Sequence, residues 1–132
     1  MGQSPPGDTY NSAGEGLPFY QGRTDFGFRF PKKRIFCTKE NRVASPGEIL
    51  VSVRAPVGDV NQAIERCIIG RGVASVLHKS GSAAYTFSLL KGLYQRLAYY
   101  NGEGTVFGAI NRSDFHNMPI IEPPKSLIEL FE

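Results

Sequence analysis

The sequence predicts an α+β domain, a mixed or antiparallel sheet of short strands with one main amphipathic helix. Three observations predict it. Short apolar runs bounded by Gly and Pro recur through residues 17–77. A single 3.6-residue periodicity follows them over residues 82–99. Strands and helices do not alternate as they would in a parallel βαβ fold. At 132 residues the chain suits one domain with a core of its own.

In chain order, residues 1–16 hold four Gly and two Pro and predict loop. Leu17–Gln21 predicts a short strand, with Pro18 near its start, where a missing ladder donor is tolerated. The segment that follows, to Asn41, interleaves Phe26, Phe28 and Phe30 with Arg29, Lys32, Lys33 and Arg34. It predicts a strand or exposed loop rather than a helix. The three phenylalanines are expected to anchor it to the core while its charges face outward. Pro46-Gly47 predicts a turn, Glu48–Arg54 the clearest strand, and Ala55–Asp59 another turn. Cys67–Ile69 and Gly72–Leu77 predict two further strands around Gly70-Arg71.

The period then changes. Ala83, Phe87, Leu90, Tyr94 and Leu97 lie on one face of a helix expected over residues 82–99, N-capped by Ser82 and stopped by Asn101-Gly102. Such a stripe is more simply core than a cofactor box. Thr105–Phe107 predicts a short strand, Ser113–Asn117 a helical turn, and Lys125–Glu132 a helix beginning after the Pro123-Pro124 break.

Composition and motifs exclude several classes. No run approaches the ~20 apolar residues of a membrane helix, and the N-terminus lacks the basic and apolar regions of a signal peptide. Pro6 stands where a myristoylation signal wants Ser or Thr. The two cysteines, Cys37 and Cys67, lie in apolar strand-like runs, so a disulfide-free cytoplasmic protein is expected. No Gly-rich phosphate loop follows a strand. His78, His116 and the cysteines lack metal-ligand spacing. There is neither a nucleophile elbow nor a carboxylate–lysine cluster for phosphodiester cleavage. His116, beside Asp114, is expected at the surface or in a cap. These absences predict a binding module with no cofactor, no metal and no chemistry of its own.

The net charge of +3 is unevenly spread: residues 23–42 carry +5 and residues 43–100 carry +3, whereas the first 22 carry −2 and the last 32 carry −3. A basic middle between acidic ends suits a polyanion-binding face, and suits a merely solvated lysine-rich surface equally.

Five ordered segments carry a family resemblance. They are Gly2-Gln3-Ser4-Pro5-Pro6 with Tyr10-Asn11, Gly16–Gly22, Gly47–Gly58, Ile69–Ala74, and Gly104–Ile110 continuing to Met118–Pro124. In that order, and over nearly the whole chain, the sequence resembles a target-recognition domain of type I restriction-modification specificity subunits. The resemblance implies a target-recognition-domain-like fold over residues 1–124, with 125–132 starting a helical spacer that is truncated here. It also implies sequence-specific binding of double-stranded DNA, each domain reading half of a bipartite site. A second such domain, or a second copy of the chain, would complete the pseudo-twofold reader. Separate methyltransferase (modification) subunits and restriction subunits would act as partners in prokaryotic defence, and S-adenosylmethionine, ATP and Mg²⁺ would belong to them.

Within that implication, candidate DNA contacts follow from side-chain chemistry. Arg23 and Arg34 offer planar forks that match two acceptors on guanine. Lys32, Lys33 and Lys39 suit phosphate. Gln21 and Gln62 can read adenine. Arg54, Arg66 and Arg71 form a second basic set, in which Arg54 and Arg71 suit phosphate clamps or structural ion pairs with Glu48 or Asp59. Gly58, Gly70 and Gly72 are expected to serve turn geometry. For each side chain the plainer alternative is an ordinary surface residue. For the whole domain it is a non-catalytic protein- or carbohydrate-binding module, distinguished by an absence of salt-dependent DNA binding.

Overall fold

Short apolar runs give short strands. The computed structural model describes residues 1–101, 109–118, 120 and 127, and the strands within them are β1 (Tyr10–Asn11), β2 (Leu17–Tyr20), β3 (Ile35–Cys37), β4 (Val43–Ala44), β5 (Ile49–Ser52), β6 (Val60–Gln62), β7 (Cys67–Ile69) and β8 (Val73–Val76). They form two sheets, ordered β1-β3-β2-β7-β4 and β6-β5-β8. Every pairing is antiparallel except β2 with β7, which run parallel in the register Phe19↔Ile68 and Tyr20↔Ile69. The α+β class with a mixed, short-stranded sheet is what the sequence predicts.

The unbroken apolar run of β5 is explained by its position. It is the central strand of its sheet and is covered on both faces. Ile49, Val51 and Val53 face Leu90, Leu97 and Ile110, while Leu50, with Val73 of the neighbouring β8, faces Tyr20, Cys67 and Ile69 of the opposite sheet. The period of two thus sorts one strand's side chains between a helix-facing core and a sheet-facing core. A third cluster, of Phe19, Cys37 and Ile68, lies within the five-stranded sheet.

The helix expected over 82–99 is broken. It divides into α1 (Ala83–Gly92) and α2 (Tyr94–Ala98), with Leu93 between them at φ −89°, ψ 2° and its N–H shared by the carbonyls of Leu89 and Leu90. Gly92 supplies the weak point, since glycine costs about 1 kcal/mol in a helix interior. Ser82 does cap α1, its hydroxyl accepting from the Tyr85 N–H at 3.1 Å. Leu90 and Leu97 of the expected stripe are buried, whereas Tyr94 is exposed. The predicted turn at 113–117 is the short helix α3 (Arg112–His116), capped by Asn111, and His116 is exposed in its last turn. The expected strand at Thr105–Phe107 lies outside the described residues, as does the helix from Lys125 apart from Leu127.

Cys37 and Cys67 are buried free thiols on β3 and β7, with β2 lying between those strands. Two strand spacings separate them by about 10 Å, beyond the ~7 Å that a disulfide spans. Burial pushes the Cys67 thiol up to about 12.

The aromatic segment corrects an expectation. Phe26 packs against the core cluster that contains Cys67, but Phe28 is fully exposed and Phe30 is 43% exposed. The phenylalanines therefore do not anchor the segment as a set.

Candidate nucleic-acid interface

The basic segment after β2 is a loop that lies along β6, an edge strand of the three-stranded sheet. An open strand edge offers unpaired backbone groups that must find partners, and this loop supplies them. Gln62 N–H donates to the Arg29 carbonyl at 2.8 Å. Asn61, almost fully buried, accepts from Gly27 N–H at 2.9 Å and returns its amide to the Gly27 carbonyl at 3.0 Å. Its side chain thus acts as an additional rung between strand and loop.

A second anchor is Asp25, only 2% exposed. Its carboxylate accepts from Gln21 N–H at 2.8 Å and from the Arg34 guanidinium at 2.8 Å, so it ties the start of the loop to its end. The Asp25 carbonyl also accepts from Lys32 N–H. Arg29 lies over the Phe87 ring, 4.7 Å from its centroid, and donates to the Gln62 side chain at 3.2 Å. Asp25, Arg29 and Asn61 are not among the sequence-derived candidates. A lone carboxylate inside a basic run was the available signal for Asp25; nothing local marked Asn61.

Beside this loop is an open concavity of about 420 Å³, lined by Ser4, Gln21, Arg23, Thr24, Arg54 and Arg71 among others. Three elements build it. The parallel pairing of β2 with β7 places Gln21 beside Gly70–Gly72, and Gly70 and Gly72 N–H groups donate to the Tyr20 and Gln21 carbonyls. A Cβ at residue 72 would collide with the Gln21 carbonyl oxygen, so close backbone approach requires glycine there. Arg54 leaves the end of β5 and bridges to Ala109. Arg71 sits in the β7–β8 turn, its N–H accepted by the Ser4 hydroxyl at 3.2 Å.

The candidate cations divide by what already holds them. Arg23 Nε donates to Asp59 Oδ2 at 2.7 Å, Lys33 pairs with Glu65 at 3.1 Å, Arg34 with Asp25, and Arg66 with Glu40 at 2.7 Å. Gln62 is occupied by Arg29 and by the Gly47 carbonyl. Arg54, Arg71, Lys32 and Lys39 are exposed and make no ion pair among the described residues. The structural ion pairs considered for Arg54 and Arg71 do not form. Asp59 is taken by Arg23, and Glu48 accepts the Ser45 N–H. Gln21, Arg23, Arg54 and Arg71 converge on one surface, while Lys32, Lys33, Arg34, Lys39, Gln62 and Arg66 do not line it. Guanidinium groups without carboxylate partners among the described residues, on a concave wall, are suited to an anionic oxygen-rich ligand. Among the described residues no group of His, Cys, Asp and Glu is arranged to hold a metal ion.

The fold recurs in known proteins. A search of protein-family models finds no match. Over 126 residues the chain is 40% identical to the type I restriction enzyme MjaX specificity subunit of Methanocaldococcus jannaschii, covering 94% of this chain and 29% of that protein. The HsdS subunit from Thermoanaerobacter tengcongensis superposes with a TM-score of 0.84 at 41% identity, over 99% of this chain and 32% of that one. A chain from a structural study of the assembly and conformational transition of the type I R-M system gives 0.86 at 42% identity, over 98% and 32%. The S subunit of M. genitalium, at 18% identity and a TM-score of 0.60 over 86% and 28%, shows the fold alone. The class is the target-recognition domain. The chain is homologous to a single such domain of type I restriction-modification specificity subunits, and it spans about a third of the length of the relatives it matches.

Proposed function

We propose that this domain recognises one half of a bipartite duplex DNA target. In a full assembly, cytoplasmic in this reading, it directs methyltransferase and restriction subunits that perform the chemistry. Residues 1–124 form the recognition domain, and 125–132 begin the spacer that positions a second domain. The carrying observation is the concavity in which Arg54 and Arg71, without carboxylate partners among the described residues, stand beside Gln21 and Arg23. Arg54 and Arg71 contact backbone phosphates, supplemented by Lys32 and Lys39. Arg23 supplies direction: Asp59 fixes it through Nε and leaves both terminal nitrogens for the two acceptors of a guanine.

The test is a titration of duplex DNA by fluorescence anisotropy at several salt concentrations. Half a bipartite reader should bind weakly, at about 10⁻⁴–10⁻⁶ M near physiological salt, if most of its affinity is phosphate-borne. Replacing Arg54 and Arg71 by Ala should lower the log–log salt slope by about 0.9 for each phosphate no longer neutralised. An unchanged slope in the double variant, with folding intact, would remove the concavity from the DNA face. A wild-type chain with no salt-dependent affinity would favour a protein- or carbohydrate-binding role instead.

A further inference from the structure

Phe28 is the most exposed large apolar side chain of the domain among the described residues, and the residues on either side of it are hydrogen-bonded to β6. Gly27, immediately before it, is clamped by both ends of the buried Asn61 amide. Arg29, immediately after, has its carbonyl bonded to Gln62 N–H and its guanidinium set on Phe87 and Gln62. The flanking residues are tied to β6 and to Phe87, and the ring between them meets only solvent. A phenyl ring left wholly in solvent forgoes the stabilisation that burying it would give. A loop merely covering the β6 edge has no need of one.

Its surroundings indicate the occupant. The ring stands on the most basic stretch of the chain, with Lys32 exposed and Arg29 and Phe30 adjoining it. This loop runs directly on from Arg23 at the concavity wall. A polyanion attracted to that surface therefore meets a rigidly presented apolar group. On duplex DNA a phenyl ring can neither donate nor accept, so the donor–acceptor code of the major groove is closed to it. The one apolar group which that groove displays is the 5-methyl of thymine.

We propose that Phe28 is a specificity-determining residue that seats its ring against a thymine methyl, selecting an A·T pair at one position of the half-site. The inference rests on the DNA-recognition reading above and adds a residue, a base and an atom to it.

The experiment begins by selecting preferred duplexes from a randomised library with the full chain. Each thymine of the selected sequence is then replaced in turn by deoxyuridine, which removes the methyl alone. Wild-type protein should lose about fourfold in affinity at one position, the weight of one buried methyl group, and little at the others. Phe28→Ala should bind the thymine and deoxyuridine duplexes equally, and Phe28→Leu should keep part of the difference. Thermal melts of both variants should match wild type, because the ring supports nothing in the fold. An undiminished thymine preference in Phe28→Ala overturns the proposal while leaving DNA recognition intact. So does enhanced fluorescence of 2-aminopurine placed in the half-site that is lost in Phe28→Ala, which would make the ring a wedge between base steps instead. Failure of the wild-type chain to bind any duplex overturns the DNA-recognition reading itself and is distinguished by that absence.

Discussion

The loop over residues 21–34 and the concavity wall at Arg54 and Arg71 are both basic, yet they use their charge differently. In the loop, Arg23, Lys33 and Arg34 are each held by a carboxylate. On the wall neither arginine has one among the described residues. A cation tied to an acid has part of its field cancelled and its direction fixed. A cation without a partner keeps its field and its freedom. The first kind is suited to reading a base edge, which demands orientation, and the second to meeting phosphate, which demands charge. Net charge along a sequence counts the two kinds alike, and for that reason the +5 of residues 23–42 is a poor guide to where phosphate binds.

The largest way to break this contrast is to remove the acid that organises the loop. Asp25→Ala should destabilise the domain by about 2–3 kcal/mol, since the Gln21 N–H loses its acceptor and Arg34 its anchor. Asp25→Asn should cost less, because it retains one acceptor. Urea unfolding with an unchanged m-value would report it. A cost below about 0.5 kcal/mol, typical of an indifferent surface site, would show that the loop is held by Asn61 and Arg29 without it.

Arg23→Ala tests direction. It should cost about 1–3 kcal/mol of binding on the preferred half-site and little on scrambled duplexes, the opposite of the uniform loss expected at Arg54 and Arg71. Uniform weakening in both cases would erase the distinction between the two regions.

Much of this fold was legible because burial writes itself into local pattern. Ile49–Ser52 is apolar throughout its first three positions and proves to be covered on both faces; Ser82 stands where a cap is needed and caps. What stayed hidden depended on distant partners. Val60–Gln62 carries two polar residues in three, and it is a strand because β5 pairs with it and Asn61 holds the loop. Alternation around Phe26, Phe28 and Phe30 has no intrinsic phase, and the fold packs Phe26 alone of the three against the core. Gln21, Arg23, Arg54 and Arg71 were each singled out, but their meeting depends on the parallel β2–β7 pairing, which no local signal marks.

Cys67 offers a probe of how firmly the loop sits, because Phe26 packs on the cluster that contains it. Its thiol is raised to about 12 chiefly by desolvation, with Glu48 and Glu65 adding to the effect. A folded-state value above the unfolded one, near 8.5, means that stability is fully present below that value. It is lost as pH rises through the folded value, because only the unfolded chain ionises easily. Unfolding by urea should therefore become easier between pH 9 and about 12. Cys67→Ser should flatten part of that decline, Tyr20 contributing the rest through its own upward shift. At neutral pH Cys67 should resist alkylation in wild type and react faster in Asp25→Ala. Equal rates would mean that the loop does not gate access to the thiol.

The smallest effect is expected at Arg66, which pairs with Glu40 across 2.7 Å while both side chains remain about half exposed. Such pairs contribute about 0–1 kcal/mol, because the Coulomb attraction is screened and two long side chains lose freedom. Arg66 does not line the concavity. Arg66→Ala should therefore leave both the unfolding free energy and the salt slope of DNA binding nearly unchanged. The informative partner is Glu40→Gln, which frees the guanidinium without moving it. If partnering is what separates the two classes of cation and Arg66 lies away from DNA, the slope remains as in wild type. If the slope rises by about 0.9 in Glu40→Gln and returns to the wild-type value in the double variant with Arg66→Ala, the released arginine has found a phosphate. The DNA face would then extend from the concavity around to the β6–β7 turn.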